Sequence, residues 1–361
     1  MSDVYPPDPK SLQGPLLAAV SRSFYLSLRF LPPPVRGALS VSYLLARAAD
    51  TIADVEASPA PERLDLLAQF RSAVGFPTAV GVQPLGAISS RAEAAASLLL
   101  PPKGWTPTTD SGFLNSIHTF AAKVDHAGER ELLERLAECF TQLNKLTPGS
   151  QEKVRTVLGH ILDGMTLDLR RFPDAAVLRS LTTDAELEDY TWLVAGCVGE
   201  FRTAICAAEL PGVFTRSEAD MTALGRSFGK GLQLINILRD QAGDAAIGRC
   251  YLPAESLRAA GLSGEPVWPA ADWRAWHTAR RDLTARARTW LADGWTYAAS
   301  QRSIRLRFAT LMPLLIGEGT LSRMESLPPD GPPAAVKVTR REVKRYVRRA
   351  LWMALTGRIK P

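Results

Sequence analysis

The sequence predicts an all-α fold built as one helical domain. Three observations lead there. Ala, Leu and Arg dominate the 361 residues and β-branched runs are scarce, a composition that favours helix. Apolar residues recur at intervals of three and four through most segments, which is the period of a helix with one buried face. Proline clusters cut these segments without leaving a stretch of linker length. They fall at Pro6 to Pro9, Pro32 to Pro34, Pro101-Pro102, Thr147-Pro148-Gly149 and Pro328 to Pro333, and mark loops or helix starts. A chain of this size can bury one large core, so residues 1–336 are expected to form the domain and 337–361 a separate helix.

In chain order, the first informative helix runs through Ala38 to Val55, a stretch of small and apolar residues interrupted by Tyr43, Arg47, Asp50 and Asp54. The segment from Gly75 to Ala87 reads as a loop of low complexity. Asp163 to Phe172 reads as a helix end. Gly225 to Gly231 has glycines at the wrong spacing for a phosphate loop, and Gly231 stands where Ser or Thr is required; helix packing explains these glycines better. The next helix, Gly229 to Asp244, carries Gln233, Asn236, Arg239, Asp240 and Asp244 among Leu and Ile.

Two carboxylate pairs, Asp50/Asp54 and Asp240/Asp244, each spaced i, i+4, are the strongest chemical signal. On a helix that spacing rises only ~6 Å, so both side chains of a pair share a face. Such pairs are common on solvated helices, but here the neighbours are apolar, and a carboxylate turned toward a core is costly unless it is coordinated. Oxygen donors of this kind suit Mg²⁺, whose shell is usually completed by water and substrate phosphate. The pairs are therefore expected to face each other and to hold a diphosphate through the metal.

Other classes are disfavoured. Cys139, Cys197, Cys206 and Cys250 show no CxxC spacing, and His118, His126, His160 and His277 are scattered, so zinc chemistry is not indicated. The N-terminus lacks a basic and then apolar leader, and no uninterrupted apolar run of spanning length occurs, which points to a reduced, cytoplasmic protein. Nine basic residues and one acidic follow position 336, leaving 34 basic against 36 acidic before it, so the whole positive excess lies in the tail. There Val343, Tyr346, Val347, Ala350, Leu351, Ala354 and Leu355 fall opposite Arg341, Lys344, Arg345, Arg348 and Arg349, the pattern of a basic amphipathic helix. It either rests on an anionic membrane at the inner face or packs its apolar side on the body. No zinc spacing or aromatic interleaving accompanies this charge, which argues against nucleic acid.

Ser21-Arg22-Ser23-Phe24-Tyr25, Tyr43 to Arg47 running into Asp50-Thr51-Ile52-Ala53-Asp54, Tyr190 to Gly199, and Gln233 through Asp244 ending in Gly248-Arg249-Cys250-Tyr251-Leu252-Pro253 together resemble the squalene/phytoene synthase family, with the motifs in the family's order. The resemblance implies an isoprenoid-synthase-like helical bundle around a large central apolar cavity, acting as a monomer on prenyl diphosphates. It implies head-to-head condensation of two farnesyl diphosphates with two or three Mg²⁺ ions on Asp50, Asp54, Asp240 and Asp244. Arg47 and Arg239 then add fixed positive charge, and Ser21, Arg22, Ser23, Phe24, Gln233 and Asn236 contact diphosphate. Tyr43 and Tyr190 lie near the reacting centre, where Tyr190 assists proton removal, while Phe24 and Phe308 offer aromatic faces to a carbocation.

The fate of the intermediate separates the family's members. Asp189 to Phe201 and Cys250-Tyr251-Leu252-Pro253 resemble bacterial squalene-forming members, which implies reduction by NADPH; phytoene, dehydrosqualene, presqualene diphosphate or hydroxysqualene are the alternatives. A terpene cyclase would share the Asn236, Asp240, Asp244 stripe but usually has a denser first aspartate motif. A non-catalytic helical adaptor would be expected to have lost the carboxylates.

Overall fold

The computed structural model describes residues 12–21, 24–75, 111–266, 272–328 and 336–360. Arg22, Ser23, and all of the expected loop beyond Gly75 lie outside them. The described chain is helical nearly throughout, and its strands are two-residue segments. It divides into two compact units, residues 1–29 with 33–166, and residues 30–32 with 167–361.

The first unit contains α1 (Leu17–Ser21), α2 (Phe24–Phe30), α3 (Pro33–Asp54), α4 (Ala60–Ala73), α5 (Ser111–Ala121), α6 (Ala127–Glu134), α7 (Leu136–Asn144) and most of α8 (Pro148–Arg171). Prolines open α3, α4 and α8 within their first two residues, where the missing amide hydrogen costs nothing. In α3, Val35, Leu44, Leu45, Ala48, Ala49 and Ile52 are fully buried. From Leu44 on, each has another three or four positions away, so one side of the helix enters the core and Tyr43, Arg47, Asp50 and Asp54 lie on the remaining arc. Phe70, Phe113 and Phe140 close that core with ring centroids 5.7 to 6.5 Å apart.

The second unit holds α9 (Asp184–Thr191), a π-helical turn (Trp192–Gly196), α10 (Cys197–Glu209), α11 (Glu218–Ala246), α12 (Ala254–Ala259), α13 (Trp273–Ala299), α14 (Ile304–Glu325) and α15 (Arg340–Thr356). Strands β1 (Arg179–Ser180) and β2 (Arg249–Cys250) pair in parallel. Leu234, Ile237 and Leu238 of α11 pack with Leu283, Ala287 and Leu291 of α13 and Leu311, Leu314 and Leu315 of α14 in one buried cluster.

The glycines of the rejected phosphate-loop reading are packing residues. A Cβ on Gly199 would stand 1.9 Å from the carbonyl oxygen of Gly225, and one on Gly229 would stand 2.4 Å from that of Ala195. Here α11 therefore meets α10 and the π-helical turn backbone to backbone. Gly199→Ala should cost on the order of 1–3 kcal/mol of stability, because overpacked backbone cannot swing aside as a side chain can. Gly243→Ala, with nothing within 4 Å of the added Cβ, should be neutral or stabilising; urea denaturation of both checks this.

The C-terminal helix uses both parts of its pattern. Tyr346, Ala350, Met353 and Ala354 are buried and pack on the unit's core, whereas Leu351 and Leu355 of the expected apolar face are exposed. Its start is a capping box between Thr339 and Glu342, with Arg323 2.8 Å from the same carboxylate. The Thr339 hydroxyl and amide and the Arg323 guanidinium hold Glu342 down to about 2. A lowered folded-state pKa stabilises above the unfolded value, about 4.3, and that contribution fades as pH falls through the folded value. Glu342→Gln should therefore lower the melting temperature at neutral pH, with the gap to the parent closing toward about pH 2.

Candidate functional site

The sequence-predicted residues fall in both units, and each unit's set is built by its own helices. In the first unit, α3 carries Tyr43, Arg47, Asp50 and Asp54 along the arc that its buried stripe leaves free. The terminal nitrogens of Arg47 donate to Asp50 and to Glu129 of α6. One guanidinium thus holds two carboxylates. Crowding by protein, then the charge of Asp54 one turn on, pushes the Asp50 carboxyl up to about 7; Arg47 pulls the other way and Glu129 adds to the rise. The Asp50 side chain is still 37% open to water, so a ligand can reach it, and Asp54 is exposed.

Asp54 repels the Asp50 carboxylate one turn away, and a divalent cation fits such a pair. Like-charged carboxylates in a partly dehydrated setting gain most from a hard cation taking their oxygens. Tyr43 donates its hydroxyl to the Val20 carbonyl at 3.3 Å and lies 6.4 Å from the Phe24 ring, centroid to centroid. Phe24 is exposed. Ser21 is buried and donates to the Leu17 carbonyl one turn back within α1.

In the second unit, Gln233, Asn236, Asp240 and Asp244 run down one stripe of α11. The Asn236 amide donates to Gln233 at 3.5 Å. Arg239 forks onto Asp240, its neighbour in sequence, with Nε 2.8 Å from the carboxylate. That contact raises the Arg239 pKa above its ordinary value. The Asp240 side chain remains 48% exposed. Among the described residues no group of three or more His, Cys, Asp or Glu is placed to hold a metal alone; magnesium commonly uses one or two carboxylates and takes its other ligands from water and phosphate.

Past α11 the chain reverses at Gly248, whose φ of +77° and approach to the Asp174 carbonyl, 2.7 Å from a hypothetical Cβ, exclude any side chain. This turn delivers β2 and then Tyr251. Tyr251 stacks on Tyr190 at 4.9 Å with the planes 18° apart. The Tyr190 hydroxyl donates to that of Tyr251 at 3.4 Å, and Tyr251 donates to both oxygens of Asp168 at 2.9 Å. Arg249 lies 3.2 Å from the same carboxylate. Burial, with Tyr190 and Asp168 adding to it, raises the Tyr251 hydroxyl well above its ordinary pKa, so it stays protonated as a donor. Asp244, Arg249, Tyr251 and the buried Gln241 line one small pocket. Neither amide atom of Gln241 has a partner among the described residues.

Sequence reasoning singled out Tyr190 but not Tyr251 and Asp168 behind it, and Arg47 but not its partner Glu129. Tyr251 and Arg249 stood in the quoted Gly248–Pro253 motif, and Asp168 in the Asp163–Phe172 helix end, yet nothing in their spacing joined them. Glu129 carried no signal, because it reaches Arg47 across 82 positions of chain.

A model of the squalene/phytoene synthase family matches residues 17–342. The presqualene diphosphate synthase of Rhodopseudomonas palustris is 30% identical over 270 residues, which cover 74% of this chain and 70% of that protein. The presqualene diphosphate synthase of Zymomonas mobilis is 27% identical over 298 residues, covering 82% and 75%. The solved structure of TcSQS with the ligand E5700 superposes with a TM-score of 0.66 at 22% identity, over 95% of this chain and 87% of that one. That likeness concerns the fold, which is the all-α isoprenoid synthase fold.

Tyr251→Phe should cost roughly 1–3 kcal/mol, the penalty for stranding a buried acceptor. Tyr190→Phe should cost less, since its hydroxyl bond is long. Equal losses in denaturant titration would contradict this order.

Proposed function

The chain belongs to the squalene/phytoene synthase family, whose members are prenyltransferases, and from that premise we propose that it joins two farnesyl diphosphates head to head to give presqualene diphosphate. The observation that carries the reading is the pair of carboxylate sets, Asp50 with Asp54 and Asp240 with Asp244, each beside a paired arginine in a chain of this family. The curated relatives named presqualene diphosphate synthase support the product.

The chemical task is to break a carbon–oxygen bond at an allylic carbon. Negative charge then concentrates on the departing diphosphate and positive charge on carbon. Asp50 and Asp54 serve as one metal-binding pair and Asp240 and Asp244 as the other. Bound Mg²⁺ would supply positive charge to the departing oxygens. Arg47 holds Asp50 in place and Arg239 holds Asp240, so each carboxylate is aimed before substrate arrives. Gln233 and Asn236 offer amide groups to diphosphate oxygens on the same stripe of α11. The double bond of the second farnesyl diphosphate adds to the allylic carbon, and loss of one proton closes the cyclopropane ring. Tyr190 is the residue we assign to accept that proton, as its own hydroxyl proton moves to Tyr251 and that of Tyr251 moves to the Asp168 carboxylate. Tyr43 and Phe24 supply an aromatic surface beside the first carboxylate pair. Substrate and product are lipidic, so work at the inner face of the cytoplasmic membrane belongs to the same reading.

Asp50→Asn and Asp240→Asn should each lower turnover by at least roughly 10²-fold with the fold retained, as removal of other electrostatic stabilisers does. Purified protein given farnesyl diphosphate and Mg²⁺, with and without NADPH, should release presqualene diphosphate in both cases by mass spectrometry. Squalene formed only with NADPH would establish the reductive reaction instead, and a C15 hydrocarbon would identify a cyclase.

A further inference from the structure

Helix α15 spends its buried side on the unit's own core, which leaves a second face with a different composition. Arg341, Lys344 and Arg348 are exposed and step along the helix at intervals of three and four; the same line continues through Leu351 and Leu355, at 44% and 59% exposure. Arg345 and Trp352, the latter 52% exposed, flank it. One outward stripe is therefore cationic over its first half and apolar over its second.

Three features separate this stripe from an ordinary solvated face. Among the described residues no carboxylate pairs with Arg341, Lys344, Arg345 or Arg348, while Glu342, the only acid on the helix, is occupied by Thr339 and Arg323. Three of the eight large apolar residues exposed among the described residues fall within five positions here. The neighbouring helix comes close at this end: a hypothetical Cβ on Gly357, just past α15, would stand 3.5 Å from the Arg307 guanidinium of α14. Ile304, at the same end of α14, is 45% exposed beside the exposed Arg305.

We propose that this outward face of α15 docks on an anionic lipid bilayer. Unpaired cations match the surface charge of such a membrane. Trp352, Leu351 and Leu355 are of the kind that settle at the headgroup boundary, where an indole keeps its N–H wet and its ring dry. No described helix is long and apolar enough to cross a membrane, and a face of this kind gives reversible attachment instead. The biological reason for docking rests on the lipidic substrate proposed above; the docking itself is read without turnover.

The test is flotation of the full chain with vesicles of phosphatidylcholine alone or with a third of phosphatidylglycerol. The protein should float with the anionic vesicles, weakly or not at all with the neutral ones, and progressively less as salt is raised. Lys344→Glu with Arg348→Glu should weaken binding by roughly tenfold or more, each basic group being worth several-fold near an anionic surface. Trp352→Ser with Leu355→Ser should weaken it as well, and because these side chains are exposed both variants should keep the parent's circular dichroism and melting temperature. Equal flotation with both vesicle types, or variants that bind as the parent does, would overturn the proposal. So would a concentration-dependent dimer that Trp352→Ser abolishes in a protein that never floats, since the face would then be a contact between copies. An active condensing enzyme that ignores vesicles refutes docking alone; a floating protein without condensing activity refutes only the proposed reaction.

Discussion

Charge repulsion between Asp50 and Asp54, one helical turn apart, is the constraint around which the carboxylates of α3 are arranged. Asp50, crowded by protein and one turn from Asp54, has limited water to spread its charge into. Helices α3 and α11 each set one arginine close at hand. Arg47 is set one turn before Asp50, and Arg239 sits next to Asp240. On α3, crowding and Asp54 still push Asp50 upward, and Glu129 brings a further negative charge to Arg47. A divalent cation carrying phosphate is the partner that such a surplus suits.

That arrangement depends on rigid helices with one committed face. On α3 the commitment is apolar burial, which turns Asp50 and Asp54 to the opposite arc. On α11 it is stricter, because Gly225 and Gly229 bring the helix against backbone of α10 and the π-helical turn at distances that admit no side chain. A helix fixed by backbone contact cannot rotate to hide its polar stripe. Gln233, Asn236, Asp240 and Asp244 are accordingly held on a defined side.

The tyrosine pair illustrates a different economy of structure. Tyr190 gains its setting from a residue 61 positions later, delivered by the left-handed turn at Gly248 and anchored on Asp168 with Arg249 behind it. Stacking, hydrogen bonding and an ion pair converge on one buried phenol, and such networks are worth more together than their separate links.

The sequence by itself determined the all-α class, the family and the two aspartate stripes. Helical periodicity and i, i+4 spacing are local properties, written within a single turn of chain. It also determined that the glycines of α11 pack rather than cradle phosphate, since their spacing excluded the loop. Only the tertiary structure decided that Glu129 shares Arg47, that Tyr251 and Asp168 stand behind Tyr190, and that Leu351 and Leu355 turn outward while Tyr346, Ala350, Met353 and Ala354 turn in. Each of these joins residues far apart in the chain, or depends on which part of a broad apolar arc finds a neighbour. Periodicity says that a helix has a face to bury; what stands opposite that face is a property of the packed chain.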